Sequence, residues 1–324
     1  MYKKFFGLHA APFSVNPDPR FLFWTRHAQE ALACLIYGIQ SRRGFVLLTG
    51  EVGTGKTTLL NKLLDWLRGQ RVATAFIFNS QLNVPELFDY MLADFGIQCE
   101  SRLKSQALLS LYYWLLNRYK AGETAVLIID EAQNLSPEVL EEIRLLTNLE
   151  TATEKLLQIV LAGQPELEQK LNLPQLRQLK QRITLRCKTQ SLAAEETRAY
   201  VVERLKIAGA NGQSIFTPES LDAVHRYTRG IPRLINLLCD HALISSFVDQ
   251  HKQVEAALIE SVAREFDLLR PEPAEQIASK GELAQVLQNL ALLTERFRRP
   301  VPSLGQAGDA EAKLQPRVVN GDEK

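Results

Sequence analysis

Five short runs of β-branched and aliphatic residues punctuate the first 190 positions: FVLLT (45 to 49), ATAFIFN (73 to 79), AVLIIDE (125 to 131), LQIVLAG (157 to 163) and ITLRC (183 to 187). Hydrophobicity this continuous over so few residues predicts strands covered on both faces. Between them, TTLLNKLLDWL and PELFDYMLADFGI repeat apolar residues at helical spacing, with Pro85 at a first helical position. Strand and helix alternate, which predicts an α/β domain over residues 1 to 190 built on a parallel sheet with helices on both sides. The pattern changes after Ser191. AEETRAYVVERLKIAG, TPESLDAVHRYTRG, PRLINLLCDHALISSFVD and VEAALIESVAREFDLL each read as a helix with a start or stop signal, and no strand-like run interrupts them, so residues 191 to 268 form a second, all-helical domain. In 269 to 324, RPEPAEQ reads as a linker and the final PVPSLGQAGDAEAKLQPRVVNGDEK as a disordered tail. Between these, SKGELAQVLQNLALLTERFRR aligns Leu283, Leu287, Leu290 and Leu293 on one side. It is either an amphipathic helix for a partner helix or a frayed extension.

Composition adds little to this picture except by exclusion. The 324 residues are 46% apolar and 23% charged with a formal net charge of +1, which gives no global reason for binding nucleic acid or acidic lipid. Cys34, Cys99, Cys187 and Cys239 stand singly, without zinc-ligand or disulfide-framework spacing, and read as four buried thiols in a reducing compartment. His9 and Pro12 interrupt the apolar start before a leader of normal length forms, and no run reaches the roughly 18 to 20 residues of a membrane span. A cytoplasmic protein is expected, meeting the inner membrane only through a partner.

The chemistry is concentrated at GEVGTGKTT, where the first strand hands over to a helix. It fits the pattern G-x-x-x-x-G-K-[ST] in the context that pattern requires. Gly50, Glu51, Val52, Gly53, Thr54, Gly55, Lys56, Thr57 and Thr58 would turn backbone N–H groups inward around phosphate oxygens, helped by the positive end of the following helix. Lys56 would neutralise the β- and γ-phosphates, the Thr57 hydroxyl would ligate Mg²⁺, and Thr58 would support the loop. AVLIID ends a later strand in Asp130, placed to share the metal, and adjacent Glu131 is placed to polarise an attacking water. No guanine-selecting motif is present, so ATP is the expected nucleotide.

Three further residues suit a hydrolytic machine. Gln164 follows the fourth strand, within reach of the γ-phosphate and the water. Arg182 stands just before the fifth strand, where it could point at a neighbouring subunit's ATP, with Arg177 one turn earlier as the competing candidate. Arg233 opens a helix in GIPRLIN, where the dipole disfavours a cation. Either a nearby anion such as the γ-phosphate explains it, or it caps a neighbouring carbonyl. Phe13, Phe21, Phe23 and Trp24 either dock the leading segment or border the base, with Phe23 to His27 as possible contacts. Tyr112, Tyr113 and Trp114 read as one packed helix face, and RQLKQRITLRCK is a local basic stretch able to touch nucleic acid.

The succession FFGLHAAPFSVNPDPRFLFWTRHAQEALACLIYGI, GEVGTGKTTL, LIIDEAQNLSPEVLEEIRLLTNLET, LAGQPEL, LKQRI and GIPRLIN, over residues 1 to 268, resembles the ExeA/GspA family of AAA+ ATPases, associated with type II secretion. Transposition regulators of the TnsC/TniB type are similar over the same core. The resemblance implies a P-loop NTPase fold of AAA+ type: a five-stranded parallel sheet in the order 5-1-4-3-2 with a C-terminal helical lid. It also implies ATP and Mg²⁺ as cofactors, ATP-dependent homo-oligomers, and roles for these positions: Gly50 to Thr57 as Walker A, Asp130 and Glu131 as Walker B, Gln164 as sensor 1, Arg182 as arginine finger and Arg233 as sensor 2. The expected activity is ATP hydrolysis at subunit interfaces that assembles or remodels an envelope complex, with a protein of a secretion or pilus system as partner. The alternative is an ATP-gated DNA-binding regulator. Proteins of the ExeA type carry a membrane span and a peptidoglycan-binding domain after the ATPase, whereas a charged segment follows here, so an action through a partner is expected.

Overall fold

A computed structural model describes residues 1–14, 18–78, 81–101, 103–210, 212 and 214–268; the expected linker, helix at 281 to 299 and tail lie outside the described residues. Helices α1 (Tyr2–Phe5) and α2 (Arg26–Gln40) lead into β1 (Phe45–Thr49), α3 (Lys56–Arg68), β2 (Val72–Ile77), α4 (Val84–Asp94), α5 (Lys104–Lys120), β3 (Thr124–Ile129), α6 (Pro137–Leu146), β4 (Leu157–Gly163), α7 (Pro165–Leu171), α8 (Arg177–Arg182) and β5 (Ile183–Lys188). Four helices follow: α9 (Ala194–Ile207), α10 (Pro218–Thr228), α11 (Pro232–Val248) and α12 (Ala256–Glu265).

All five strands are parallel, in the order β2-β3-β4-β1-β5, the order implied by the resemblance. Side-chain alternation sorts each strand between two cores. Leu47, Leu127, Ile129, Ile159 and Leu161 face α4 to α8, while Val46, Leu48, Val126, Ile128 and Val160 face α2 and α3. Both faces are covered, which is why the sequence shows unbroken apolar runs rather than alternation. Helix starts follow the local chemistry: the Asn83 side chain accepts from the Glu86 N–H while the Glu86 carboxylate accepts from the Asn83 N–H, and Thr25, Ser136 and Thr217 accept from the amides three residues on.

This topology creates the crevice that matters. The chain leaves β1 for α3 on one side of the sheet but leaves neighbouring β4 for α7 on the other, so the connections that follow the paired ends of β1 and β4 diverge. The β3 strand ends with its apolar run at Ile129, and the Asp130 amide still donates to Ile77 O at 2.9 Å. The Asp130 and Glu131 carboxylates are therefore presented at the loop that opens toward this crevice.

Two details differ from the sequence reading. The helical region contains one parallel bridge, Phe216 with Val254, joining the extended segments before α10 and α12. Only Cys187 and Cys239 are buried; Cys34 and Cys99 are half-buried, packed at the margins of the two sheet cores. The leading segment divides its packing. Phe6, Leu8 and Phe13 enter the core of α9 to α12, whereas Leu22 packs against the α2–α3 side of the sheet.

Candidate nucleotide site

The loop between β1 and α3 is set by backbone conformation. Gly53 (φ +79°) and Gly55 (φ +96°) are left-handed, and Gly55 serves as N-cap of α3. A Cβ on Gly53 would lie 2.7 Å from Arg233 Cβ and 3.2 Å from Ile231 Cγ2, because the start of α11 is pressed onto the loop. The Arg233 N–H donates to Gly53 O at 3.2 Å. The loop is thus shared between the sheet and the C-terminal helices: β1 and α3 flank it and α11 closes over it.

Lys56 is 5% exposed, and its ammonium donates to Gly50 O at 2.8 Å and Glu51 O at 3.0 Å. Burial holds it below the usual lysine range, opposed by the charges of Glu131, Asp130 and Glu51. Asp130 is 4% exposed; its Oδ2 accepts from the Thr57 hydroxyl at 2.9 Å and its Oδ1 from the Glu131 N–H at 2.9 Å. Burial raises its carboxyl above the ordinary value, opposed by these two hydrogen bonds. Lys56, Thr57 and Asp130 therefore form a tight desolvated cluster at the end of the crevice. An all-oxygen pair of hydroxyl and carboxylate suits a hard divalent cation, Mg²⁺ included. Outside such pairs, no group of three or more His, Cys, Asp or Glu side chains arranged for a metal occurs among the described residues.

Glu131 has φ 52°, a left-handed conformation uncommon for a residue with a side chain. Its Oε2 accepts from the Gln164 Nε2 at 3.1 Å and from the Gln133 Nε2. Asp130 after β3, Gln164 after β4 and Thr57 at the start of α3 are thus linked through Glu131 and the Thr57–Asp130 bond. A cavity of about 350 Å³ opens before them. Lys56, Thr57, Thr58, Glu131 and Arg233 line it, as do Phe21, Phe23 and His27 of the leading segment. Thr54 is buried and its hydroxyl bonds Glu51 O and Thr189 Oγ1, so it supports the loop, while Glu51 and Val52 are exposed.

Arg182 does not line this cavity. Its guanidinium donates to Arg144 O at 3.3 Å, Asn148 Oδ1 at 2.7 Å and the Thr147 hydroxyl, at the C-terminal end of α6. A cation there is favoured by the helix dipole. Arg177, at the start of α8, is exposed and also outside the cavity.

Sequence reasoning missed the far wall. Tyr200 and Arg204 of α9 and Asn236 of α11 are 4%, 6% and 7% exposed and line the cavity. Tyr200 donates to Asn236 Oδ1 at 2.8 Å, and the Arg204 Nε donates to Pro12 O at 2.5 Å with its guanidinium 4.6 Å from the Phe21 ring centre. On a helix otherwise rich in charge, Arg204 looks like a solvated residue; only the Tyr-x-x-x-Arg spacing hinted at a shared face.

Comparisons with known proteins bear on the family and the fold. Residues 39–171 match the AAA domain family. The chain is 45% identical over 288 residues to General secretion pathway protein A of Aeromonas hydrophila, an alignment covering 89% of this chain and 52% of that protein. The chain thus contains an AAA domain and is related over most of its length to general secretion pathway protein A. It spans about half the length of that curated relative. In fold it is similar to the ORC2 protein of Aeropyrum pernix solved as ADPNP-ADP complexes (TM-score 0.58, 16% identity, 78% of this chain and 71% of that one). It is equally similar to Cdc6p from Pyrobaculum aerophilum (TM-score 0.58, 17% identity, 81% and 70%). Among the described residues, no helix is long and apolar enough to cross a membrane.

Proposed function

We propose that the chain is an ATPase that binds ATP with Mg²⁺ in the cavity between the phosphate loop, the leading segment, α9 and α11, hydrolyses it at the interface between subunits, and uses the resulting movement of its helical domain to assemble or remodel an envelope complex of the secretion type. The domains taking part are 1 to 190, 191 to 268 and, as the link to a partner, 269 to 324. One observation carries the chemical part: the Thr57 hydroxyl lies 2.9 Å from Asp130 Oδ2 beside a buried Lys56, with Glu131 open to the same cavity. The relationship to general secretion pathway protein A supports the choice of pathway.

The mechanism follows from these residues. Lys56 would exchange its bonds to Gly50 O and Glu51 O for β- and γ-phosphate oxygens, and an anion there offsets the desolvation that burial imposes. Thr57 and Asp130 would hold the magnesium, whose charge neutralises that building on the phosphates in flight. Glu131 would orient water and accept its proton, with the Gln164 amide between that water and the γ-phosphate. Arg233, whose own backbone touches the phosphate loop, would report the γ-phosphate to the helical domain. Phe21, Phe23 and His27 would border the base.

The test uses two substitutions. Lys56→Ala should lose ATP binding, and retained micromolar affinity would count against the phosphate loop. Glu131→Gln should bind ATP but turn over about 10²- to 10⁴-fold more slowly, the usual worth of a general base. Capture of the Glu131→Gln form with ATP, followed by identification of what accompanies it, tests the envelope reading; salt-sensitive DNA binding that appears only with ATP would replace it.

A further inference from the structure

Gln133 lies in the single 3₁₀ turn Ala132–Asn134, just past the paired acids. Its side-chain amide is used at both ends. The Nε2 donates to Glu131 Oε2, and the Oε1 accepts from the backbone N–H of Gln164 at 3.1 Å. The chemistry dictates this orientation: reversed, the amide would set an oxygen against a carboxylate and an N–H against an N–H. The same Glu131 oxygen takes the Gln164 Nε2 at 3.1 Å, so Glu131, Gln133 and Gln164 close a ring of hydrogen bonds across the ends of β3 and β4.

The ring is braced from behind. The ammonium of Lys170, on α7, donates to Gln133 O and, at 2.8 Å, to Leu135 O, fixing the backbone that carries the amide. Gly163 leaves room for it: a Cβ there would stand 2.7 Å from Gln133 Oε1 and 2.8 Å from Leu167 Cδ2. Without the Gln133 amide, Glu131 would keep its left-handed backbone but lose one of the hydrogen bonds that restrain its carboxylate rotamer.

We infer that Gln133 is a positioning residue for hydrolysis: its amide ties the Glu131 carboxylate to the start of α7, so that the group activating water and the amide of Gln164 hold one fixed relation. The inference rests on Glu131 being the base. A purely structural role would use only the acceptor end, which holds the first turn of α7 through Gln164.

Two substitutions in the full-length ATPase separate these roles. Gln133→Met removes both bonds; Gln133→Glu keeps an acceptor for the Gln164 N–H but cannot donate to Glu131. Both should lower kcat by about 10- to 100-fold, as small misplacements of a reacting group do, while the dissociation constant for a fluorescent ATP analogue and the thermal midpoint hold. In the Glu131→Gln background, Gln133→Met should add no further loss, since the two act as one unit. Wild-type kcat in Gln133→Glu, or losses that multiply in the double variant, would overturn the inference while leaving Glu131 as base. Normal turnover of Glu131→Gln alone would remove the base assignment and this inference with it.

Discussion

Gly53 concentrates the demands of the site in one residue. Its left-handed backbone turns the loop, and its missing side chain lets the start of α11 settle on it. Gly53→Ala meets both objections at once, and a strained backbone of this kind costs about 1 to 3 kcal/mol. ATP affinity should therefore fall about tenfold or more in a fluorescence titration, since about 1.4 kcal/mol is a factor of ten. Unchanged affinity would mean that the loop releases this conformation when it binds. The phosphate loop, Asp130 and Glu131 were legible in the sequence because they follow a strand in fixed order and because their chemistry depends on residue type and spacing. Tyr200 and Arg204 were not, because α9 reads as a surface helix until Phe21 and Pro12 are folded against Arg204, and Asn236 of α11 joins them only through its bond from Tyr200.

At the scale of elements, the leading segment does more than precede the sheet. Phe13 is fully buried and its ring packs edge-on at 6.1 Å from Phe216, while the backbone of Pro12 accepts from Arg204. The segment therefore straps the helical domain before it passes the cavity. Phe13→Ala should destabilise that domain by about 3 to 5 kcal/mol, the usual cost of emptying a buried aromatic site. Urea unfolding followed by far-ultraviolet circular dichroism would read it as a lower midpoint, and an unmoved midpoint would show that the strap detaches without loss. The helices themselves were predictable from caps and apolar period. The choice of core for Phe6, Leu8 and Phe13 was not, since an aromatic residue in a short apolar stretch suits any nearby core.

At the scale of the whole molecule, the proposed hydrolysis between subunits makes a specific demand of Arg182. Arg182 is held by α6 of its own chain and stays outside its own cavity, a placement compatible with service to a neighbour. Mixing Arg182→Ala with Lys56→Ala subunits should then restore part of the ATPase activity that each lacks alone, because interfaces arise that pair an intact loop with an intact arginine. No recovery at any ratio would make Arg182 a cap for α6 and nothing more.

What the sequence determined by itself was the set of elements and the chemistry of the phosphate loop: apolar period, caps and a spaced glycine–lysine motif are local properties, readable without knowing what lies across the fold. Only tertiary structure decided which of those groups meet. Gln133 reaches Gln164 across 31 residues of sequence, and Arg204 reaches Pro12 across 192. Contacts that distant in sequence arise from sheet order and from where each helix is laid, and neither is encoded in any single stretch of chain.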